Sequence, residues 1–136
     1  RREAGRVTIS LGVALAILAG LDGVPLSILV GVGGAVGALG RYAVDVALGG
    51  GRPSTFAVNV LGSAALGALV TSSPHATTLA VAGTGFCGAF TTFSSFAVNV
   101  VEAASKENWR LAAVDAVGTL ASALLGVALG TALVGI

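Results

Sequence analysis

Four apolar runs, each of about 17 residues or more, follow one another from Val24 to the end of the chain, parted by short polar links. A run of that length crosses the hydrocarbon of a bilayer as a helix, which satisfies its own backbone polar groups where no water can. Asp22, Gly23 and Pro25 punctuate the start of the first run, which extends from Val24 to about Leu48 and is interrupted only by Arg41 and Asp45. The link Gly49 to Pro53 ends it, and Ser54 or Thr55 is placed to cap the second, which reaches about Val70. The third covers about Thr77 to Val101 and the fourth about Leu111 to Val134. The predicted class is therefore an all-α membrane protein of four transmembrane helices. Hydrophobic residues make up 55% of the chain and charged ones 10%. A unit this small has no interior able to take up so many apolar side chains, so most face lipid or a partner chain.

Residues 1–23 form a separate N-terminal extension ahead of the four-helix unit, residues 24–136. Arg1, Arg2 and Arg6 precede a shorter apolar run, Val7 to Leu21, which as a helix is about 22 Å long. Such a segment reads as signal-like, as an interfacial helix or as an additional span. If it does not cross, Arg1, Arg2 and Arg6 stand on one side against Arg41, Arg52, Lys106 and Arg110 on the other, a near tie that fixes no orientation. If it crosses, all seven fall together. A net charge of +1 offers no footprint for nucleic acid, and none is expected as a partner. The single cysteine, Cys87, excludes an intramolecular disulfide and a cysteine-based metal cluster. No Ser/His/Asp, paired-carboxylate, metal-spaced or phosphate-loop constellation is present, so an enzyme is not expected.

The third run carries the chemistry. Between Gly83 and Asn99 it reads GTGFCGAFTTFSSFAVN, with Thr91, Thr92, Ser94 and Ser95 gathered around Phe93. That density of hydroxyls predicts a helix opened at its centre, which at membrane depth requires a covering of protein or a hydrated pathway. Phe86, Phe90, Phe93 and Phe96 follow helical spacing and form one predicted stripe, either as packing or as ring edges offered to a small anion. Asn59, in the second run, must pair across helices or donate its amide to a passing ion. Arg41 either snorkels to headgroups or supplies fixed positive charge at a vestibule mouth, with Asp45 four residues on as a possible partner. Gly33, Gly34 and Gly37, then Ser63 and Gly67, then Ser122, Gly126 and Gly130 form stripes of small residues that let helices approach closely.

Three segments, GGAVGALGRY at Gly33 to Tyr42, STFAVNVLGS at Ser54 to Ser63 and GTGFCGAFTTFSSF at Gly83 to Phe96, together resemble the signatures of the Fluc (CrcB-type) fluoride channel family. The resemblance covers about Val24 to Ile136, in order. It implies a four-helix subunit with a broken third helix, assembling in the bilayer as an antiparallel, dual-topology dimer with two fluoride pores that lower cytoplasmic fluoride by passive export across the plasma membrane. It places Asn59, Phe93, Phe96, Ser94, Ser95 and Ser122 along the fluoride pathway and Arg41 at the vestibule. It further implies a structural sodium ion at the dimer centre, held by the main-chain carbonyls of Gly88 and Thr91 from both subunits. Two positions depart from the family pattern: Asn99 stands where a glutamate is common and Gly118 where a tyrosine is frequent. They leave open a heterodimer in which a paralogue supplies some pore groups. A membrane assembly or transport subunit with no pore of its own is the reading from a different class.

Overall fold

The computed structural model describes residues 24–135, and the N-terminal extension, residues 1–23, lies outside them. Four helices long and apolar enough to cross a membrane make up the fold: α1 (Leu26–Leu48), α2 (Gly51–Thr71), α3 (Ala76–Ser105) and α4 (Trp109–Val134). Pro25 enters α1 with φ −54°, and Gly49 closes it in the left-handed region. Gly49, Gly50 and Gly51 take φ of 73°, 75° and 73° in succession, a run that side chains would forbid, and the chain reverses into α2 almost without a loop. The cap expected of Ser54 or Thr55 is not made. Instead α2 begins at Gly51 with Gly50 ahead of it, and Pro53 falls in the first turn, where its missing N–H leaves no bond unmade. Both hydroxyl residues are buried, and Ser54 Oγ donates to Asp45 Oδ1 at 2.6 Å, turned back toward α1.

Two helix pairs carry the closest packing: α1 with the first half of α3, and α2 with α4. The glycine stripes lie in these contacts. A methyl group added at Gly37 would overlap the Phe86 carbonyl, and one at Gly130 would overlap the Ala64 carbonyl. Main chain therefore nests against main chain, an arrangement favoured in lipid, where dispersion and weak Cα–H···O contacts replace the hydrophobic effect between helices. Few large side chains are fully enclosed. Val58, Cys87, Phe90, Ala103 and Ala112 form the small apolar interior, while most Leu and Val side chains point outward as the composition predicts.

One end of the bundle is held by charge. Arg52, in the first turn of α2, donates through Nε to Asp115 Oδ2 on α4 at 2.6 Å and through Nη2 to the Asn99 carbonyl on α3 at 3.1 Å. Asp115 lies in a π-helical stretch of α4, Val114–Gly118. The two side chains are 34% and 15% exposed, so the pair is only partly desolvated and contributes about 1 kcal/mol. Asp115→Ala and Arg52→Ala are each expected to lower the unfolding temperature in detergent by a few degrees. The double variant should lose much less than the sum, and strict additivity in a thermal-shift series would show that the pair is not coupled.

Candidate functional site

The third helix is opened by hydrogen bonds from a neighbour. Its first half, residues 76–90, is π-helical over Leu79–Cys87, and its second half is Phe93–Ser105. Between them Thr91 (φ −80°, ψ 166°) and Thr92 (φ −149°, ψ 118°) are extended, and α3 bends by 24°. Asn59 of α2 meets both main-chain groups of Thr92: its Nδ2 donates to the Thr92 carbonyl at 3.0 Å, and its Oδ1 accepts from the Thr92 N–H at 2.8 Å. The N–H that would have closed a turn onto the Gly88 carbonyl is thereby taken. Thr92 then caps the second half, its Oγ1 accepting from the Ser95 N–H at 3.2 Å, which diverts the donor of the Thr91 carbonyl as well. The break is narrower than the expected opening from Thr91 to Ser95, because this cap restores the helix from Phe93 onward.

Two hollows flank the break, each of about 350 Å³, and Thr92 lines both. The first is mainly apolar. Asn59, Gly88, Thr91, Phe93 and Phe96 line it, with Thr119 from α4. The second is the more polar of the two and holds Arg41, Asp45, Ser54, Thr55, Ser94 and Ser95 beside Tyr42 and Val58. The predicted phenylalanine stripe is divided accordingly. Phe86 and Phe90 stack at 5.5 Å on the α1 side, with Phe90 buried, whereas Phe93 and Phe96 pair at 5.7 Å with their planes 50° apart. Phe93 is 80% exposed, a large apolar ring turned out of the subunit. A break of two extended residues rotates one half-helix against the other, so a spacing that is continuous in sequence does not remain one face.

Of the two readings for Asn59, the interhelical bond is the one made. It uses a single Nδ2 hydrogen, and among the described residues the other has no acceptor, on a residue that lines the apolar hollow. Arg41 does not pair with Asp45. Its Nη1 lies 3.4 Å from the Thr91 carbonyl, and the Asp45 carboxylate turns to Ser54. Thr92 Oγ1 also contacts Ser94 Oγ at 3.2 Å and donates to Ser95 Oγ at 3.1 Å, leaving the Ser95 hydroxyl hydrogen without an acceptor among the described residues. Ser122 is half-buried on α4 and lines neither hollow; Thr119 takes the lining position there. The sequence places Thr92 only among the hydroxyls at the break, not as its cap, and gives Thr119 no role. The spacing of Thr92 to Ser95 is a capping signal that points to the first, whereas an isolated hydroxyl in an apolar helix gives no sign of the second.

Four spanning helices, one of them interrupted near its centre beside a polar and an apolar hollow, define a multi-pass membrane protein. The family described as CrcB-like protein, Camphor Resistance (CrcB), matches residues 28–131, and the chain belongs to that family. The fluoride-specific ion channel FluC 2 of Natronomonas pharaonis is 48% identical over 107 residues, covering 79% of this chain and 92% of the relative. FluC 1 of Halobacterium salinarum is 44% identical over 112 residues, covering 81% and 94%. FluC 2 of Haloarcula marismortui is 43% identical over 111 residues, covering 78% and 91%.

Proposed function

We propose that this chain is a fluoride-conducting channel subunit, two copies of which pair in antiparallel orientation in the plasma membrane and let fluoride leave the cytoplasm down its gradient. The observation that carries the reading is the Asn59–Thr92 pairing, which opens α3 in the middle of the bilayer beside Phe93 and Phe96. Fluoride is small and strongly hydrated, so a path for it must replace water with donors in series and still let go. The unused Nδ2 hydrogen of Asn59 and the unused hydroxyl hydrogen of Ser95 are such donors, neutral and therefore not traps. Ring edges at Phe93 and Phe96 add weak positive potential without a fixed cation, while Arg41 concentrates anions in the polar hollow. The outward turn of Phe93 leaves a ring for a second copy to enclose.

A central sodium ion belongs to the same proposal. The residues fit it: with the Thr92 and Ser95 N–H groups diverted, the Gly88 and Thr91 carbonyls lack their helical donors at the C-terminal, negative end of a half-helix. An antiparallel copy would double that set, and the ion would supply a fixed positive charge at the dimer centre. The Arg41 guanidinium at 3.4 Å from the Thr91 carbonyl competes for the same oxygen. It has to withdraw for the ion to bind.

Proteoliposomes containing this chain alone are expected to release fluoride rapidly and chloride hardly at all, read with a fluoride electrode. Release no faster than from empty vesicles overturns the proposal. Phe93→Ile and Phe96→Ile should each lower the initial rate by about tenfold, the order of one aromatic edge contact. Unchanged rates would favour the subunit with no pore of its own. The heterodimer is the second reading, favoured by Asn99, whose side chain makes no hydrogen bond among the described residues, and by Gly118, where an added methyl would meet only the Val114 side chain, at 4.0 Å. Flux that appears only on co-reconstitution with a paralogue would select it.

A further inference from the structure

The polar hollow contains two charges that do not neutralise each other by contact. Arg41 and Asp45 are its charged lining residues, one helical turn apart on α1, yet the guanidinium turns to the Thr91 carbonyl and the carboxylate to Ser54. Asp45 is held by one bond at its side chain and one at its main chain. Its Oδ1 accepts from Ser54 Oγ at 2.6 Å, its main-chain carbonyl accepts from the Gly50 N–H at 2.8 Å, and Gly50 folds over the carboxylate closely enough that a methyl there would lie 3.8 Å from both oxygens. The other charged pairs at this end, Arg52 with Asp115 and Lys106 with Glu102, are occupied with each other. An anion entering from the loop end therefore meets a fixed carboxylate before it reaches Arg41.

We infer that Asp45 is a specificity-determining residue of the conduction path, a negative charge at the mouth of the hollow that limits how far Arg41 can enrich anions. The inference rests on the fluoride-channel reading and adds a restraint to it. Without Asp45 the hollow would carry an uncompensated positive charge and fill with whichever anion is abundant, at the expense of discrimination. Ser54 keeps the carboxylate at the wall, where it weakens the field of Arg41 instead of quenching it in an ion pair.

The test is fluoride and chloride efflux from proteoliposomes of the full chain carrying Asp45→Asn, which keeps an Oδ1 acceptor for Ser54 and removes only the charge. At about 10 mM ionic strength, where the screening length is about 30 Å, initial fluoride efflux should rise at least about threefold and chloride leak should become measurable. Near 1 M salt, with screening at about 3 Å, the gain should vanish. Asp45→Glu, which retains the charge, should show no such gain. Ser54→Ala, which removes the donor and leaves the carboxylate less neutralised, should shift efflux in the opposite direction at low salt, and it decides the matter if Asp45→Asn does not assemble. An Asp45→Asn rate equal to or below that of the parent at low salt, or a gain that high salt leaves intact, overturns the inference. Absence of fluoride efflux from the parent chain overturns the channel reading itself.

Discussion

Replacing Asn59 by Asp is expected to lower fluoride efflux by about 100-fold while leaving the chain in the membrane, because it loses a donor on both sides of the residue at once. The Thr92 carbonyl, now 3.0 Å from Nδ2, would face a carboxylate oxygen, and the hollow beside Phe93 and Phe96 would acquire a negative charge. An unpaired buried acceptor costs about 1–3 kcal/mol, and the repulsion of fluoride by the new charge adds to it. The Thr92 N–H keeps its acceptor, so the break itself should persist. Efflux within a few-fold of the parent from a folded Asn59→Asp protein would show that Asn59 only packs.

The second large effect is structural, and it is a contrast between two identical substitutions. Gly130→Ala adds one methyl where α4 lies on the Ala64 carbonyl of α2, and neither main chain can yield without separating the tightest helix pair. We expect loss of about 2–3 kcal/mol or failure to accumulate. Gly31→Ala adds the same methyl where nothing lies within 4 Å and should be neutral or slightly stabilising, through helix propensity. Equal unfolding temperatures for the two variants in detergent would refute the close-contact account of α2 against α4.

Much of this architecture is legible in the sequence because a membrane reduces the problem to lengths and small residues. All four spans follow from runs that only a helix can carry through hydrocarbon, and Gly37 and Gly130 announce close contacts by their spacing. The position of the break was also readable, since four hydroxyls in five residues have few other reasons to sit there. Its mechanism was not. The bond that opens α3 joins Asn59 to a residue 33 positions away, and no local pattern encodes such a pairing. The start of α2 was misread for a similar reason: Ser54 has the composition of a cap, but Asp45 on the preceding helix competes for its hydroxyl and wins. The phenylalanine stripe failed because periodicity assumes an unbroken screw, and two extended residues at Thr91 and Thr92 reset its phase.

The Arg52 clamp has a mechanical consequence. It ties α2, α3 and α4 at the end where α1 runs out, whereas the opposite end, near Pro25, Ser72 and Val134, has no ion pair among the described residues and relies on helices resting on bare main chain. The two ends of the bundle are thus held by different forces, one by an ion pair and the other by close packing alone. In an antiparallel pair, every membrane surface would receive one of each, so a rise in salt on either side would weaken the ion-paired rim of one copy only. Lateral pressure from the lipid would then be met by the same mixed rim on both sides, and a change in bilayer thickness would strain the two pores equally.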